Sequence, residues 1–478
     1  MLRLPTLIVV FAFTIRILYA LYSHDFWLDE AFNFFISQNE PKTIIYALSF
    51  DNWPPLYSLF MHYWQKISEN YFWLRLPSVI FGSLLLIIIY QTSKKLFNVS
   101  IALAAILLAS VSPALVYFSA ENRPYSLFTL LTSLTVLLFL RLRDKESFIN
   151  YLLFVISAIL TIYTHYFGLL LILALIASSK FTSFLKLKFE NIFSALAIII
   201  LASSPWWFYS YLKPHPECLC LPPLPAILAT FGFFAIGGSG LINLKHFFQV
   251  QTPLFIKLFL GVFIAISTFL FFRGLKKLSN RKVLWLYLII FSSILLILVL
   301  SLFFNIFSVR SLIFLIPIYL IVIAIALDKM GKFIYLNLRF RLLSIYFVTL
   351  LIILIITVQR PFFNLEPLKQ MSDKLSQLDR PQTAIIHANI YTYLPAKYYY
   401  PTSRQSVLKP SLPEQLSHSL NIQILDQKVL KESSQIVLVY ANDRYDKQSF
   451  DNLRTILVNI KHKSAKHSLG KINLEIFE

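Results

Sequence analysis

The sequence predicts a polytopic α-helical membrane protein of about 11 spans, with surface helices in its first external loop and a small C-terminal α/β domain. Three observations carry that expectation. The 478 residues are 57% hydrophobic and 14% charged, with a mean hydropathy of +0.68, which is too apolar for an ordinary soluble chain. Apolar runs long enough to cross a bilayer, roughly 20 residues each, recur and end in clusters of Lys and Arg. After Gln359 the composition changes: the last 120 residues carry 16 Lys/Arg and 11 Asp/Glu.

The spans follow in order. Span 1 covers 4–22; it carries Arg16 inside the run and lacks a small-residue cleavage site, so it reads as an uncleaved span rather than a signal peptide. Span 2 (76–93) runs into Lys94-Lys95, span 3 (99–119) leads to Glu121-Asn122-Arg123, and span 4 (124–140) ends in Arg141, Arg143 and Lys145. The stretch 148–179 is too long for one span and is broken at Thr164-His165-Tyr166, giving two short ones. Span 7 (190–208) exits through Trp206-Trp207, an aromatic belt. A Pro-rich loop from Pro214 to Pro253 precedes span 8 (254–272), and spans 9 (283–303), 10 (312–327) and 11 (342–358) complete the set. The segment 54–68, opening on Pro54-Pro55 and mixed in polarity, reads as a surface helix.

With this parity one set of loops holds 18 basic residues against four acids, and the other holds eight acids against about seven basic residues. The basic set is cytoplasmic by the positive-inside rule, which makes the chain a multi-pass protein of the inner (plasma) membrane. The same bias accounts for the net charge of +20, so no nucleic-acid partner is expected. Residues 1–358 form the transmembrane domain. Residues 359–478 form a soluble extracytoplasmic domain, with strands at 382–387, 421–425, 435–440 and 472–477 and helices at 389–400 and 447–460. Cys218 and Cys220 have one residue between them, poor geometry for a bridge; they read as two thiols in a loop.

Carboxylates near a bilayer need a reason. Asp29-Glu30 stand among aromatic residues just after span 1, and Glu121 with Arg123 stands at the end of span 3, on the same face of the membrane. The local alternatives are a helix start with Asp25 or Asp29 as N-cap, and a Glu121–Arg123 ion pair.

Along the chain stand Asp29-Glu30, Asn52-Trp53-Pro54-Pro55-Leu56-Tyr57, Leu74-Arg75-Leu76-Pro77-Ser78, Glu121-Asn122-Arg123-Pro124-Tyr125, His165-Tyr166-Phe167 and Ser308-Val309-Arg310. In this order and spacing they resemble the polytopic glycosyltransferases of the GT-C fold, in particular the branch with protein O-mannosyltransferases and lipid A aminoarabinose transferase. The resemblance covers most of residues 1–330. Trp53 stands where relatives often have His, and Val309-Arg310-Ser311 lacks their Pro and Tyr.

The resemblance implies transfer of a sugar, with inversion, from a polyprenyl-phosphate donor to a protein, glycan or lipid acceptor on the extracytoplasmic face. Single displacement needs a carboxylate to take the acceptor proton, and Asp29 is the expected base. Glu30 and Glu121 would orient the substrates, and Arg123 and Arg310 would bind the phosphate unless they merely snorkel at span ends. Tyr125, His165, Pro54, Pro55 and Tyr57 complete the expected substrate-binding set. The arginines favour a reaction without a cofactor, a divalent cation on Asp29, Glu30, Glu121 and His165 being the alternative. Gly237-Gly238-Ser239-Gly240 mark the loop over the lipid site as a lid or as an ordinary long loop. The alternative function is a carrier or flippase for lipid-linked sugars, though such a protein needs polar residues at mid-depth.

The span parity is directly testable. A reporter active only in the cytoplasm, fused after Phe477, is expected to be silent, and an active fusion would overturn the orientation.

Overall fold

In hydrocarbon every backbone N–H and C=O must be satisfied within its own segment, so apolar runs of span length have little choice but helix. The computed structural model describes residues 3–22, 25–51, 53–182, 184, 189–213, 224–237, 253–274, 280–303, 306–332, 336–359, 367–409, 412–441 and 446–478. Cys218, Cys220 and Gly238-Ser239-Gly240 lie outside them. The chain divides into two compact units: residues 1–23, 52–57 and 75–363, and residues 24–51, 58–74 and 364–478.

The first unit is helical. It comprises α1 (Arg3–Tyr22), most of α5 (Tyr71–Leu96), α6 (Val99–Ser110), α7 (Pro113–Phe118), α8 (Tyr125–Asp144), α9 (Phe148–Thr164), α10 (Phe167–Phe181), α11 (Phe189–Tyr211), α12 (Leu224–Ile236), α13 (Leu254–Arg273), α14 (Arg281–Leu300), a 3₁₀ turn (Arg310–Leu315), α15 (Ile316–Lys332) and α16 (Leu336–Gln359). Among the described residues, seven helical segments are long and apolar enough to cross a membrane, and four shorter apolar ones occupy 99–110, 148–164, 167–181 and 340–356.

Two differences from the expected spans have physical causes. The run 99–119 is not one helix: it breaks at Val111-Ser112, ahead of Pro113, which opens α7. A residue before proline is pushed out of the α region, and the carbonyls freed at the end of α6 are taken up from α1. Arg16, fully buried, donates through its guanidinium to the carbonyls of Ala109 and Ser110 and of Ala12, each at 3.2 Å, and to Ser119 Oγ at 3.2 Å. The second difference is α12, inside the stretch expected to be loop. Its apolar run, LPAILATFGFFAI, ends at Gly237 with φ +76°, the left-handed conformation favoured just past a helix C-terminus. A Cβ there would stand 2.4 Å from the Ala114 nitrogen, so Gly237 also brings the end of α12 onto α7.

The second unit holds α2 (Leu28–Ser37), α3 (Pro41–Leu48), all of α4 (Leu56–Trp64) after Tyr57, and the C-terminal sheet. The C-terminal elements are α17 (Leu368–Leu378), β1 (Thr383–His387), α18 (Ile390–Tyr399), β2 (Gln405–Val407), α19 (Glu414–Ser419), α20 (Gln427–Glu432), β3 (Gln435–Ala441), α21 (Lys447–Ile460), β4 (Lys463–Leu469) and β5 (Ile472–Phe477). The strand order is β2-β1-β3-β5-β4, with β2, β1 and β3 parallel and β5 and β4 antiparallel. One face packs Leu430 of α20 and Phe450, Leu453 and Leu457 of α21 against Ile386, Leu438 and Phe477. The other packs Met371 and Leu375 of α17 against Ile385, Val437 and Leu474, and it also buries Trp27 from the segment after α1.

The strand expected at 421–425 reduces to a single bridge from Ile424 to Val407. The edge strand β4 went unread because KHKSAKHSL has Lys and His where a half-buried strand shows apolar residues; lysines are what an exposed edge needs to resist pairing with another chain. Asp25 does serve a helix N-terminus, but that of α17: its Oδ2 accepts from the Lys369 amide at 3.0 Å. The N-cap of α2 is Trp27, with Asp29 and Glu30 in the first turn.

The close fit around Arg16 gives a stability test. A Cβ on Gly82 of α5 would lie 2.0 Å from Ser119 Oγ, so Gly82→Ala is expected to cost about 1–3 kcal/mol by overpacking, read as a lower unfolding temperature in detergent. Ser119→Ala in the same chain should recover part of it.

Candidate active site

Polar side chains buried at the head of membrane helices must satisfy one another. In the first unit the loop after α7 carries Glu121 and Asn122, both fully buried, and Arg123 at 7% exposure. The Ser78 hydroxyl, at the start of the apolar part of α5, donates to the Glu121 carbonyl at 2.6 Å. Tyr57 donates through its phenol to Asn122 Oδ1 at 3.3 Å, the same distance it keeps from Ser78 Oγ. Pro54 and Pro55, both buried, stand just ahead of α4, whose second residue is Tyr57.

Arg123 lies over the ring of Trp53, its guanidinium carbon 4.6 Å from the centroid, a cation–π contact that fixes the plane of the guanidinium. The same indole meets Tyr125 edge-on at 5.8 Å and His165 at 5.2 Å. His165 stacks on Phe128 of α8 at 4.7 Å. Its Nδ1 accepts the Phe167 amide at the start of α10, 3.1 Å away, so in the neutral ring the proton is on Nε2. That nitrogen donates to Ser311 Oγ at 3.2 Å, beside Arg310 at the head of the 3₁₀ turn. The Tyr117 hydroxyl faces the Glu121 carboxylate, with Arg310 near enough to act on it electrostatically.

The first unit therefore brings together Pro54, Pro55, Tyr57, Glu121, Arg123, Tyr125, His165 and Arg310 around Trp53 and Tyr117. An acid, two guanidinium groups and aromatic walls suit an anionic head group attached to an apolar tail. Asp29 and Glu30 belong to the second unit, in the first turn of α2, Glu30 fully buried and Asp29 partly exposed. Among the described residues no group of three His, Cys, Asp or Glu side chains is gathered as a metal set.

A search of solved structures returns the same architecture. ArnT of Cupriavidus metallidurans, solved bound to undecaprenyl phosphate, superimposes with a TM-score of 0.66 at 11% identity, over 98% of this chain and 97% of that one. The chain has the GT-C glycosyltransferase fold. The GT-C oligosaccharyltransferase AglB of Archaeoglobus fulgidus, solved with an inhibitory peptide and a dolichol-phosphate, gives a TM-score of 0.52 at 12% identity, over 92% of this chain and 69% of that one. The family model for dolichyl-phosphate-mannose-protein mannosyltransferase matches residues 52–209. That third of the chain contains Trp53 to Tyr57, Glu121 to Tyr125 and His165. No curated protein matches by sequence.

Three participants escaped sequence reading. Trp53 registered only as a departure from the relatives' His, yet it is the ring that Arg123 and His165 share. Tyr117 carried no motif, and Ser311 registered only in the departure at Val309-Arg310-Ser311; it differs from any span-end serine only through its bond to His165, which lies 146 residues away in the chain.

Proposed function

We propose that this protein transfers a sugar, with inversion, from a polyprenyl-phosphate donor to an acceptor on the extracytoplasmic face of the plasma membrane. The observation that carries the reading is the Arg123–Trp53–His165–Ser311 cluster with Arg310 and Glu121, set in a fold whose counterpart in ArnT was solved bound to undecaprenyl phosphate. The reaction is one displacement: the acceptor hydroxyl oxygen bonds to the anomeric carbon, the bond from that carbon to the phosphate oxygen breaks, and its electron pair leaves with the polyprenyl phosphate. Asp29 takes the hydroxyl proton as general base. The leaving group is already an anion and needs charge stabilisation rather than protonation; Arg310 and Arg123 supply it by charge-assisted hydrogen bonds. Glu30, Glu121 and His165 orient the sugar or the acceptor, with Tyr57, Tyr125 and the Pro54-Pro55 segment walling the pocket. The acceptor is a protein, a glycan or a lipid. A resident metal is not required in this scheme, since two guanidinium groups already offset the phosphate.

Asp29→Asn keeps the shape and loses the basicity. It is expected to lower turnover by about 10²–10⁴-fold with undecaprenyl phosphate still bound, and turnover within about threefold of wild type would remove Asp29 as the base.

Arg310 separates phosphate binding from a span-end anchor. Arg310→Ala should weaken undecaprenyl phosphate by roughly 10- to 150-fold, the equivalent of about 1.5–3 kcal/mol for a bond to a charged group. Arg310→Lys should rescue only part, because an ammonium lacks the planar fork. Unchanged affinity in both purified variants would exclude Arg310 from the site.

A further inference from the structure

The sequence divides a membrane domain from a C-terminal domain, but the second compact unit joins the segment after α1 to the sheet. A ten-residue helix such as α2 is marginal by itself, so its axis and the direction of its first-turn side chains are set by what it packs against. Most of the described contacts of this segment fall on one element, α18, with a further one on α19. The ring of Phe26 stacks on Tyr398 with centroids 4.2 Å apart, and the Phe26 amide donates to the Tyr399 hydroxyl at 2.6 Å. Tyr398 also meets Phe34 edge-on at 5.2 Å and donates to the Glu69 carbonyl at 2.8 Å. Lys397 lies over Phe35 at 4.8 Å, and Asn39 donates to the Ser419 carbonyl at 2.8 Å.

The helix α18 is in turn fixed to the sheet. At the end of β1 the fully buried His387 bonds Thr392 Oγ1 of α18 through Nδ1 and Gln405 Oε1 of β2 through Nε2, both at 3.0 Å. Burial holds this imidazole down to about 3, so it is neutral at physiological pH. A continuous set of contacts thus runs from the sheet through His387, α18 and Tyr398-Tyr399 to Phe26. Asp29 and Glu30 follow Phe26 by three and four residues, in the first turn of the helix that Phe26 leads into.

We infer that Tyr398 and Tyr399 are positioning residues for the Asp29–Glu30 pair, so that the C-terminal domain acts as the template that aims the carboxylates of the N-terminal segment. The inference rests on the proposed role of Asp29 as base. It assigns a task to the soluble domain that needs no ligand of its own: Tyr398 fixes the ring of Phe26, and Tyr399 fixes the backbone at the entrance to α2. A misplacement of about 1 Å in a catalytic group is enough for losses of the order of 10²-fold.

The test uses the full-length protein in lipid nanodiscs. The probe for binding is undecaprenyl phosphate; turnover is read as its release from whichever undecaprenyl-phosphate-linked mannose, glucose or arabinose the wild type consumes. Tyr398→Ala combined with Tyr399→Phe is expected to lower kcat by about 10- to 100-fold, leave undecaprenyl phosphate affinity within twofold, and raise hydrogen exchange in residues 28–37 while β1 and β3 stay protected. Added to Asp29→Asn, the same pair should lower the residual turnover by several-fold less than it lowers that of the wild type, because the base it positions is gone and only Glu30 is left to aim. If Tyr398→Ala does not fold, Tyr398→Leu with Tyr399→Phe, which removes the stacked ring and the hydroxyl but keeps apolar volume, carries the same comparison. A kcat within twofold of wild type, or an undiminished loss in the Asp29→Asn background, overturns the positioning role. Wild-type turnover by Asp29→Asn alone overturns the base instead, so the two failures are told apart.

Discussion

A buried guanidinium in the first helix sets the terms for the first unit. Arg16 is the most polar residue that could be placed inside a span, and leaving it unsatisfied in hydrocarbon would cost several kcal/mol. It finds carbonyls at Ala109 and Ser110 because the third apolar run breaks there, and it reaches Ser119 because Gly82 on α5 leaves room. Each feature needs the other two: the break needs a donor, the donor needs the break, and both need a helix without a side chain at 82. The loop from Ser119 to Arg123 starts from this fixed point. Glu121 and Arg123 therefore leave a rigid base, which is the condition for holding a charged head group at a defined place.

Around that loop, aromatic rings do the orienting that a chain of salt bridges would do in a soluble protein. Trp53 presents its face to Arg123 and meets the rings of Tyr125 and His165. Cation–π contacts hold a guanidinium by its face without neutralising it. The tautomer of His165 is likewise fixed by the helix that follows it, since the Phe167 amide claims Nδ1 and leaves Nε2 to face Ser311.

The apolar runs, the split at Thr164-His165-Tyr166 and three strands of the sheet were legible because each is a local pattern: hydrophobic length for helices in lipid, β-branched runs for strands, polar interruptions for breaks. The acid at 121 and the arginines at 123 and 310 were legible because charge at a span end is conspicuous. What could not be read was partnership. Arg16 was visible as a charge inside a run, but nothing local says that it answers the break at Val111. The helix at 224–236 was hidden in a Pro-rich stretch, although Pro225 falls in its first turn, where proline is tolerated, and β4 was hidden by the lysines of an edge. The two compact units cut across the linear boundary at 358, because Phe26 and Trp27 are aromatic residues whose partners lie more than 340 positions downstream.

That separation has a consequence for biosynthesis. The Phe26 amide and the Tyr399 hydroxyl are 373 residues apart in sequence, which at roughly 5–20 residues per second is on the order of 20–75 s of translation. During that interval the segment after α1 has emerged with Phe26, Trp27 and Phe34 uncovered, while the helix and sheet that bury them have yet to be made. Synthesis of α17, α18 and the sheet is thus the event that closes this unit, and until then the acidic helix α2 stands without the elements it packs against.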